Sequence, residues 1–245
     1  MTARLYVGER VDYIIENELK IIQSSSVFTF SLDAVLLANF VHVPIKKGKL
    51  LDLCTGTGAI PLLLTRRTNG RITGIEIQEK LVSMAERSVE LNQLENQINV
   101  IHANILDSER NAEQDYDVVT CNPPYFASQN PEDHHSNEHF AIARHEIHCT
   151  LDDVVRISAK HLRNGGKAAF VHRPERLMDL LTSMRKYNLE PKRLQLVHPK
   201  EGKEANMVLV EGAKNGKPDL KLLPPIVVFD QNGQYSEEVM QAYGR

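Results

Sequence analysis

Lys49-Leu50-Leu51-Asp52-Leu53-Cys54, then Thr55-Gly56-Thr57-Gly58, then Ala59-Ile60-Pro61-Leu62-Leu63-Leu64 reads as a buried strand, a glycine turn and a helix. Pro61 falls in the first turn of that helix, where its missing N–H costs nothing. A strand that feeds a helix through glycines is a nucleotide-binding βα unit, because without a Cβ at Gly56 and Gly58 a ligand can approach the backbone. A second strand, Arg71 to Ile77, carries Glu76, 18 residues after Gly58. An acid at that distance suits acceptance from ribose hydroxyls. Two features turn the reading away from a dinucleotide: Pro61 replaces the third glycine of Gly-x-Gly-x-x-Gly, and Asp52 stands ahead of the turn. A carboxylate there orients a cationic ligand, so the pattern fits a cofactor with an amine and a sulfonium and no pyrophosphate.

The units that come next repeat the alternation. Glu79 to Leu91 places Leu81, Val82, Ala85 and Val89 on one helical face, Ile98 to His102 is a third strand ending at Ala103-Asn104, and Tyr116 to Thr120 is a fourth. Leu151 to Leu162 reads as a helix, Asn164-Gly165-Gly166 as a turn, and Lys167 to His172 as a strand. Pro174 to Tyr187 reads as a helix, with strands at Lys192 to His198 and Ala205 to Glu211. Upstream, Leu19 to Ile22 is a short strand, and Leu32, Val35, Leu36 and Phe40 recur at helical spacing behind a Ser31 cap. In the tail, Pro224-Pro225 leads to Ile226 to Phe229, a turn at Gln231-Asn232-Gly233 and a short helix from Ser236. Strands alternating with helices predict an α/β fold with a mostly parallel sheet.

The fourth strand runs into Cys121-Asn122-Pro123-Pro124-Tyr125-Phe126. Two prolines fix φ and remove two donors, so the carbonyls of Asn122 and Pro123 are held outward. The Asn122 side-chain oxygen and the Pro123 carbonyl then accept from one planar amino group while Tyr125 offers a ring face. The target is a flat, NH2-bearing group, a nucleobase or a side-chain amide. Its nitrogen is a poor nucleophile because the lone pair is delocalised. Two aligned acceptors and in-line placement lower the barrier without a nucleophilic side chain. The competing reading of Asn-Pro-Pro is a plain proline turn.

Composition bounds the class. The chain has 245 residues, 42% hydrophobic and 25% charged, with no apolar run approaching the roughly 18 residues of a bilayer span. Met1-Thr2-Ala3-Arg4-Leu5 starts no apolar signal segment, and Cys54, Cys121 and Cys149 follow neither disulfide nor zinc-ribbon spacing. Both point to a cytoplasmic protein. The net charge of −3 is uneven: residues 156–221 hold 15 Lys and Arg against 7 Asp and Glu, and the remainder 14 against 25. A basic carboxyl-terminal third suits a polyanion, with a solvated surface as the alternative. Lys192, Arg193, Lys200 and Lys203 are the candidates for a basic rim meeting RNA phosphates.

Asp52 to Gly58, Glu76 and Asn122-Pro123-Pro124-Tyr125, in that order, resemble class I S-adenosylmethionine-dependent methyltransferases that act on amines. Phe28-Thr29-Phe30-Ser31-Leu32-Asp33-Ala34-Val35-Leu36-Leu37-Ala38 and Ala143-Arg144-His145-Glu146 extend the resemblance, over essentially the whole chain, to bacterial tRNA1(Val) adenine methyltransferases. The resemblance implies a Rossmann-like fold: a seven-stranded, mostly parallel sheet, its final strand antiparallel, with helices on both faces. One domain is expected, with 1–45 as an extension, 46–212 as the core and 213–245 as a tail packed on it.

By the same resemblance S-adenosylmethionine is the cofactor, held by Asp52, Gly56, Gly58, Glu76 and Asn104; Asn122 is counted with them, and Phe30 and Asp33, at the start of the first helix, are further candidates to face it, with packing and capping as the alternative. Many relatives carry Asp where Asn104 stands. Asn122, Pro123, Pro124 and Tyr125 would hold an adenine beside the anticodon of a valine tRNA, and its exocyclic N6 would take the methyl group. Arg144 and His145 join the basic residues as candidate RNA contacts, in a polar stretch expected to order over substrate, with a structural carboxylate as the other partner for Arg144 and general-base action as the other role for His145. That stretch also gathers His134, His135, His139, His148 and Cys149, yet methyl transfer requires no metal and none is expected. No membrane and no obligate protein partner is expected.

Three other functions fit parts of the pattern. Protein glutamine methyltransferases share the Asn-Pro-Pro-Tyr logic but carry a larger helical domain ahead of the glycine turn, where about 50 residues stand here. DNA adenine methyltransferases carry a separate target-recognition region, and none is visible. A non-catalytic RNA-binding protein on the same fold is distinguished by assay.

Overall fold

The computed structural model describes residues 4–16, 18–27, 29–109, 115–123 and 149–244. The decisive stretch folds as read: β3 is Lys49–Leu53 and α2 is Ala59–Leu64, with Gly58 as its N-cap at φ 83°. The strand stops one residue early because Cys54 takes φ 57°, a left-handed conformation outside any ladder. β4 (Arg71–Glu76), α3 (Glu79–Leu91), β5 (Ile98–His102) and the short α4 (Ile105–Ser108) come next, and then β6 (Tyr116–Cys121). The second half contributes α5 (Leu151–His161), β7 (Leu162–His172), α6 (Leu177–Lys186), β8 (Leu189–Lys200) and β9 (Met207–Lys214).

The strand order is β5-β4-β3-β6-β7-β9-β8, parallel except for β9, which runs antiparallel to both its neighbours. From β3 the chain steps outward through β4 to β5, then returns to place β6 on the other side of β3. The order reverses between β3 and β6, and open α/β sheets bind ligands at the carboxyl ends of strands on either side of such a point. The alternation of each strand divides the core. Leu50, Ile72, Val118 and Ala169 pack under the helices that include α1 (Leu32–Phe40) and α2, while Leu51, Val119, Cys121 and Phe170 pack under α5 and α6. Asp52 and Thr120 fall on the first of these faces by the same alternation.

Several elements depart from the sequence expectations. The stretch 9–22 forms a complete hairpin, β1 (Glu9–Ile15) with β2 (Leu19–Ser24), where only the second strand carries a clear apolar pattern. Its free edge is bound by α3: Ser88 Oγ accepts from Ile22 N at 2.9 Å, and Asn92 brackets the Lys20 backbone. The expected turn at Asn164-Gly165-Gly166 is instead part of β7. Gly165 at φ 73° absorbs a register shift opposite Tyr116–Val118, and a Cβ at Gly166 would lie 3.0 Å from the Tyr116 carbonyl oxygen. The glycines make a bulge, so helix α5 passes into the strand without a loop. The expected helix from Pro174 opens as one 3-10 turn, Pro174–Arg176, before α6. Ser31 occupies the N-cap of α1 by position only; its hydroxyl bonds the Asp33 carboxylate.

The tail also does more than pack. β10 (Lys221–Leu222) and β11 (Ile226–Phe229) pair in parallel with β8, extending the seven strands to nine, and α7 (Glu237–Ala242) is capped by Ser236. Among the described residues, no helix is long and apolar enough to cross a membrane.

Candidate functional site

The carboxyl ends of β3, β4 and β6 converge at the reversal point, and the glycine turn lies over them. Its two glycines do different jobs. At Gly56 (φ 59°) an added Cβ would meet nothing within 4 Å, so the space beside it is open to a ligand. At Gly58 the same atom would lie 3.3 Å from the Cβ of Ala85, so this glycine lets α3 pack against the turn. Of the two, Gly56 is the one with open space where a side chain would stand. Gly74 on β4 completes the arrangement, since any side chain there would collide with Thr55 at 2.9 to 3.1 Å.

Two buried acids hold the turn. Glu76, at the end of β4, accepts from Gly56 N through Oε2 at 2.9 Å, and from Ile77 N and Gln78 N through Oε1, each at 3.0 Å. Burial raises its pKa against these three donors. Three of its roughly four lone-pair sites are used, and one is left for a ligand hydroxyl. Asp52 is fully buried: Oδ2 accepts from the Thr55 hydroxyl and Oδ1 from the Thr120 hydroxyl, both at 2.6 Å. Desolvation pushes its pKa up to about 7; the two hydroxyls oppose that shift and the nearby Glu76 adds to it. With both oxygens occupied, Asp52 braces the turn from beneath. Sequence spacing pointed to the carboxylate but not to Thr55 or Thr120. Thr120 becomes visible only by alternation, two residues after Val118 on the face of β6 that it shares with Asp52 of β3.

Asn122 and Pro123 come directly after β6. Pro123 is buried and Asn122 half-buried, and among the described residues the Asn122 amide makes no hydrogen bond. Asn104 is the N-cap of α4, its Oδ1 accepting from Leu106 N at 3.0 Å. Among the described residues its NH2 group has no partner. Phe30 is half-buried against the core, its N–H donating to Gln23 Oε1 at 3.1 Å. Asp33 is buried at the start of α1, its Oδ1 accepting from Ala34 N at 2.9 Å. Pro124, Tyr125, Arg144 and His145 lie outside the described residues.

The basic residues separate into two groups. Lys200 ends β8 and Lys203 lies in the turn after it, on the ligand-binding edge and three strands, about 14 Å, from β6. Lys192 is tied by its ammonium to the Lys217 carbonyl at 2.6 Å. Arg193 points inward: it stacks on Phe40, donates to the Phe40 carbonyl at 3.0 Å and meets the buried Glu211 at 3.3 Å. His42 binds the same carboxylate through its backbone N–H at 2.7 Å and Nδ1 at 2.8 Å, so Arg193 belongs to a clamp between α1 and the sheet.

The glycine turn, the two acids beneath it and the Asn122 amide, which has no partner among the described residues, lie at one end of the sheet and have the chemistry to meet a cationic nucleoside. The methyltransferase small domain profile matches residues 18–186. The chain belongs to that family. Relatives in Porphyromonas gingivalis and Haemophilus influenzae are each named a tRNA1(Val) (adenine(37)-N6)-methyltransferase. The first is 28% identical over 197 residues, covering 78% of this chain and 76% of the relative. The second is 27% identical over 217 residues, 88% and 89% of the two chains. Among solved structures, a "predicted O-methyltransferase" from Agrobacterium tumefaciens superposes with a TM-score of 0.69 at 20% identity, over 86% of this chain and 95% of that one. A geranyl diphosphate methyltransferase in complex with S-adenosylmethionine gives 0.54 at 13% identity, over 74% and 84%. Both share the class I methyltransferase fold.

Proposed function

We propose that this enzyme transfers a methyl group from S-adenosylmethionine to the exocyclic N6 of an adenine in tRNA, the base beside the anticodon of a valine tRNA. The observation that carries the proposal is the Asn122 amide, held at the end of β6 next to the buried Pro123 and left without a hydrogen-bond partner among the described residues. A polar group kept open at a strand end is available to a substrate. The relatives named above support adenine as that substrate.

The turn fits the cofactor. The space beside Gly56 admits a nucleoside, the remaining acceptor site of Glu76 suits a ribose hydroxyl, and the fields of Asp52 and Glu76 suit a cation. The NH2 of Asn104 donates to an acceptor on the adenine edge. The cofactor supplies an electrophilic methyl on its sulfonium, and every other contribution is the protein's own.

Asn122 Oδ1 and the Pro123 carbonyl accept the two hydrogens of the substrate amine, which localises its lone pair. Tyr125 stacks on the extruded base, a contact worth about 1 to 3 kcal/mol. The methylated amine is acidic and gives its extra proton to water. Lys200 and Lys203, on the same edge, take the flanking phosphates, with Arg144 and His145. Acting on tRNA, the enzyme works in the cytoplasm.

The test is transfer of labelled methyl to total tRNA from a strain lacking the gene, followed by nucleoside analysis. Label in N6-methyladenosine, lost in Asn122→Ala, is the expected result. Label in protein instead identifies a glutamine methyltransferase. Label in neither, with tRNA still bound, identifies a binding protein.

A further inference from the structure

The three cysteines of the chain, at positions 54, 121 and 149, meet at one place. Leu53 and Cys121 are paired across β3 and β6, so Cys54 lies at the strand ends, and Cys54 and Cys149 pack against the same apolar cluster that contains Cys121, with the Cys54 thiol neighbouring those of the other two. All three sit on the α5 face of the sheet. Cys121 is fully buried, whereas Cys54 and Cys149 are partly exposed, and no disulfide joins them. Cys149 is anchored by its neighbours in the chain: Thr150 and Asp153 form a reciprocal capping box at the start of α5, with Oγ1 accepting from Asp153 N at 3.2 Å and the Asp153 carboxylate from Thr150 N at 3.1 Å. Cys54 is fixed from the other side, at φ 57° on the first residue of the cofactor turn.

We propose that Cys54 and Cys149 form an oxidative modification site, closed to a disulfide by a peroxide, which disables the cofactor turn. The thiolate of Cys149 attacks one peroxide oxygen and becomes a sulfenic acid, releasing water or an alcohol. The Cys54 sulfur then attacks the sulfenic sulfur, and its thiol proton leaves with the hydroxyl group as a second water. Two thiols are oxidised by two electrons and one O–O bond is reduced. At rest Cys54 and Cys121 stay protonated, Cys54 chiefly through its hydrogen bond with Cys121 and Cys121 chiefly through burial. The pair is therefore quiet until an oxidant reaches the half-exposed Cys149. Closing the bond pulls Cys54 toward α5. Its backbone leads directly into Thr55, whose hydroxyl holds Asp52, and Gly56, whose N–H holds Glu76, so the cofactor pocket loses both anchors together.

The disulfide is detected independently of the methyl-transfer reading on which its consequence rests. The full-length protein is treated with hydrogen peroxide, its remaining thiols are alkylated, and the digest is mapped by mass spectrometry. The expected product is a Cys54–Cys149 linked peptide that dithiothreitol releases, that forms equally in Cys121→Ser and that is absent from Cys149→Ser. The peroxide-treated wild type loses methyl transfer and regains it with dithiothreitol, while Cys149→Ser keeps its rate. A Cys54–Cys121 linkage, or sulfinic acid at Cys149 with no linkage, overturns the assignment. Equal inactivation of wild type and Cys149→Ser overturns the switch. A linked peptide in a protein that methylates nothing fails the functional reading alone.

Discussion

The two halves of the site are built on opposite plans. Around the cofactor turn nearly every polar atom already has a partner inside the protein: Asp52 two hydroxyls, Glu76 three backbone donors, and Asn104 a helix cap. At the end of β6 the Asn122 amide has none among the described residues. A saturated frame holds its shape without ligand, so binding there costs little reorganisation. An open acceptor is satisfied only when the substrate amine arrives, which concentrates its effect on the reacting group. The frame should therefore govern stability and cofactor affinity, and Asn122 should govern turnover.

The hardest test of that division is Asn122→Ala. Removing one preorganised polar group aimed at the reacting centre should lower kcat by about 10²- to 10³-fold, with the cofactor dissociation constant and the melting temperature nearly unchanged. Titration calorimetry and single-turnover kinetics separate the two quantities. Equal losses in both would merge the halves into one.

Asp52→Asn probes the frame through pH. The Asp52 pKa is raised from 3.8 to about 7 in the fold, so the native state favours the neutral acid. Its stabilising contribution is fully present below pH 3.8 and is lost as pH rises through 7. The amide variant does not titrate. Its stability should gain on the wild type by about 2 to 3 kcal/mol between pH 5 and pH 8, seen as diverging melting temperatures. Curves that run parallel across that range would show that Asp52 stays ionised. The third test, Glu76→Gln, keeps the shape and removes the charge from the acceptor of Gly56 N. A tenfold loss of cofactor affinity, about 1.4 kcal/mol, is expected by calorimetry, with kcat at saturating cofactor preserved.

Local patterns carried much of this into the sequence. The helices at 59–64 and 79–91 and the strand at 98–102 fall where periodicity put them, because each is decided within a few residues by apolar spacing and a cap or glycine. The glycines at 165 and 166 misled for the same reason: a turn and a bulge share local chemistry, and only the partner strand at Tyr116–Val118 distinguishes them. β1 was hidden because its outward face mixes charge with Val11 and Tyr13. The bond from Thr120 to Asp52 and the approach of Cys54 to Cys149 bring together residues 68 and 95 positions apart, and no local pattern reports a contact that the sheet order creates. Arg193 shows the converse, since a basic residue on a strand reads as a rim until Glu211 and Phe40 appear beside it.

The smallest expected effect sharpens the comparison within the turn itself. Gly56 and Gly58 both have positive φ, 59° and 83°, so alanine at either incurs the left-handed penalty of roughly 1 to 2 kcal/mol. Their surroundings differ. Gly58→Ala pushes a methyl to 3.3 Å from Ala85 and should lower the melting temperature further, because α3 must give way. Gly56→Ala places its methyl in open space. Its thermal cost should be the strain alone, while cofactor affinity falls because the methyl occupies the volume the ligand uses. Melting curves with and without S-adenosylhomocysteine decide it. Gly56→Ala should lose most of the ligand-induced shift and Gly58→Ala should keep it, so two identical substitutions two residues apart separate ligand space from packing within one turn. An equal loss at both would mean that the turn binds the cofactor as a unit and that packing against α3 is part of the pocket.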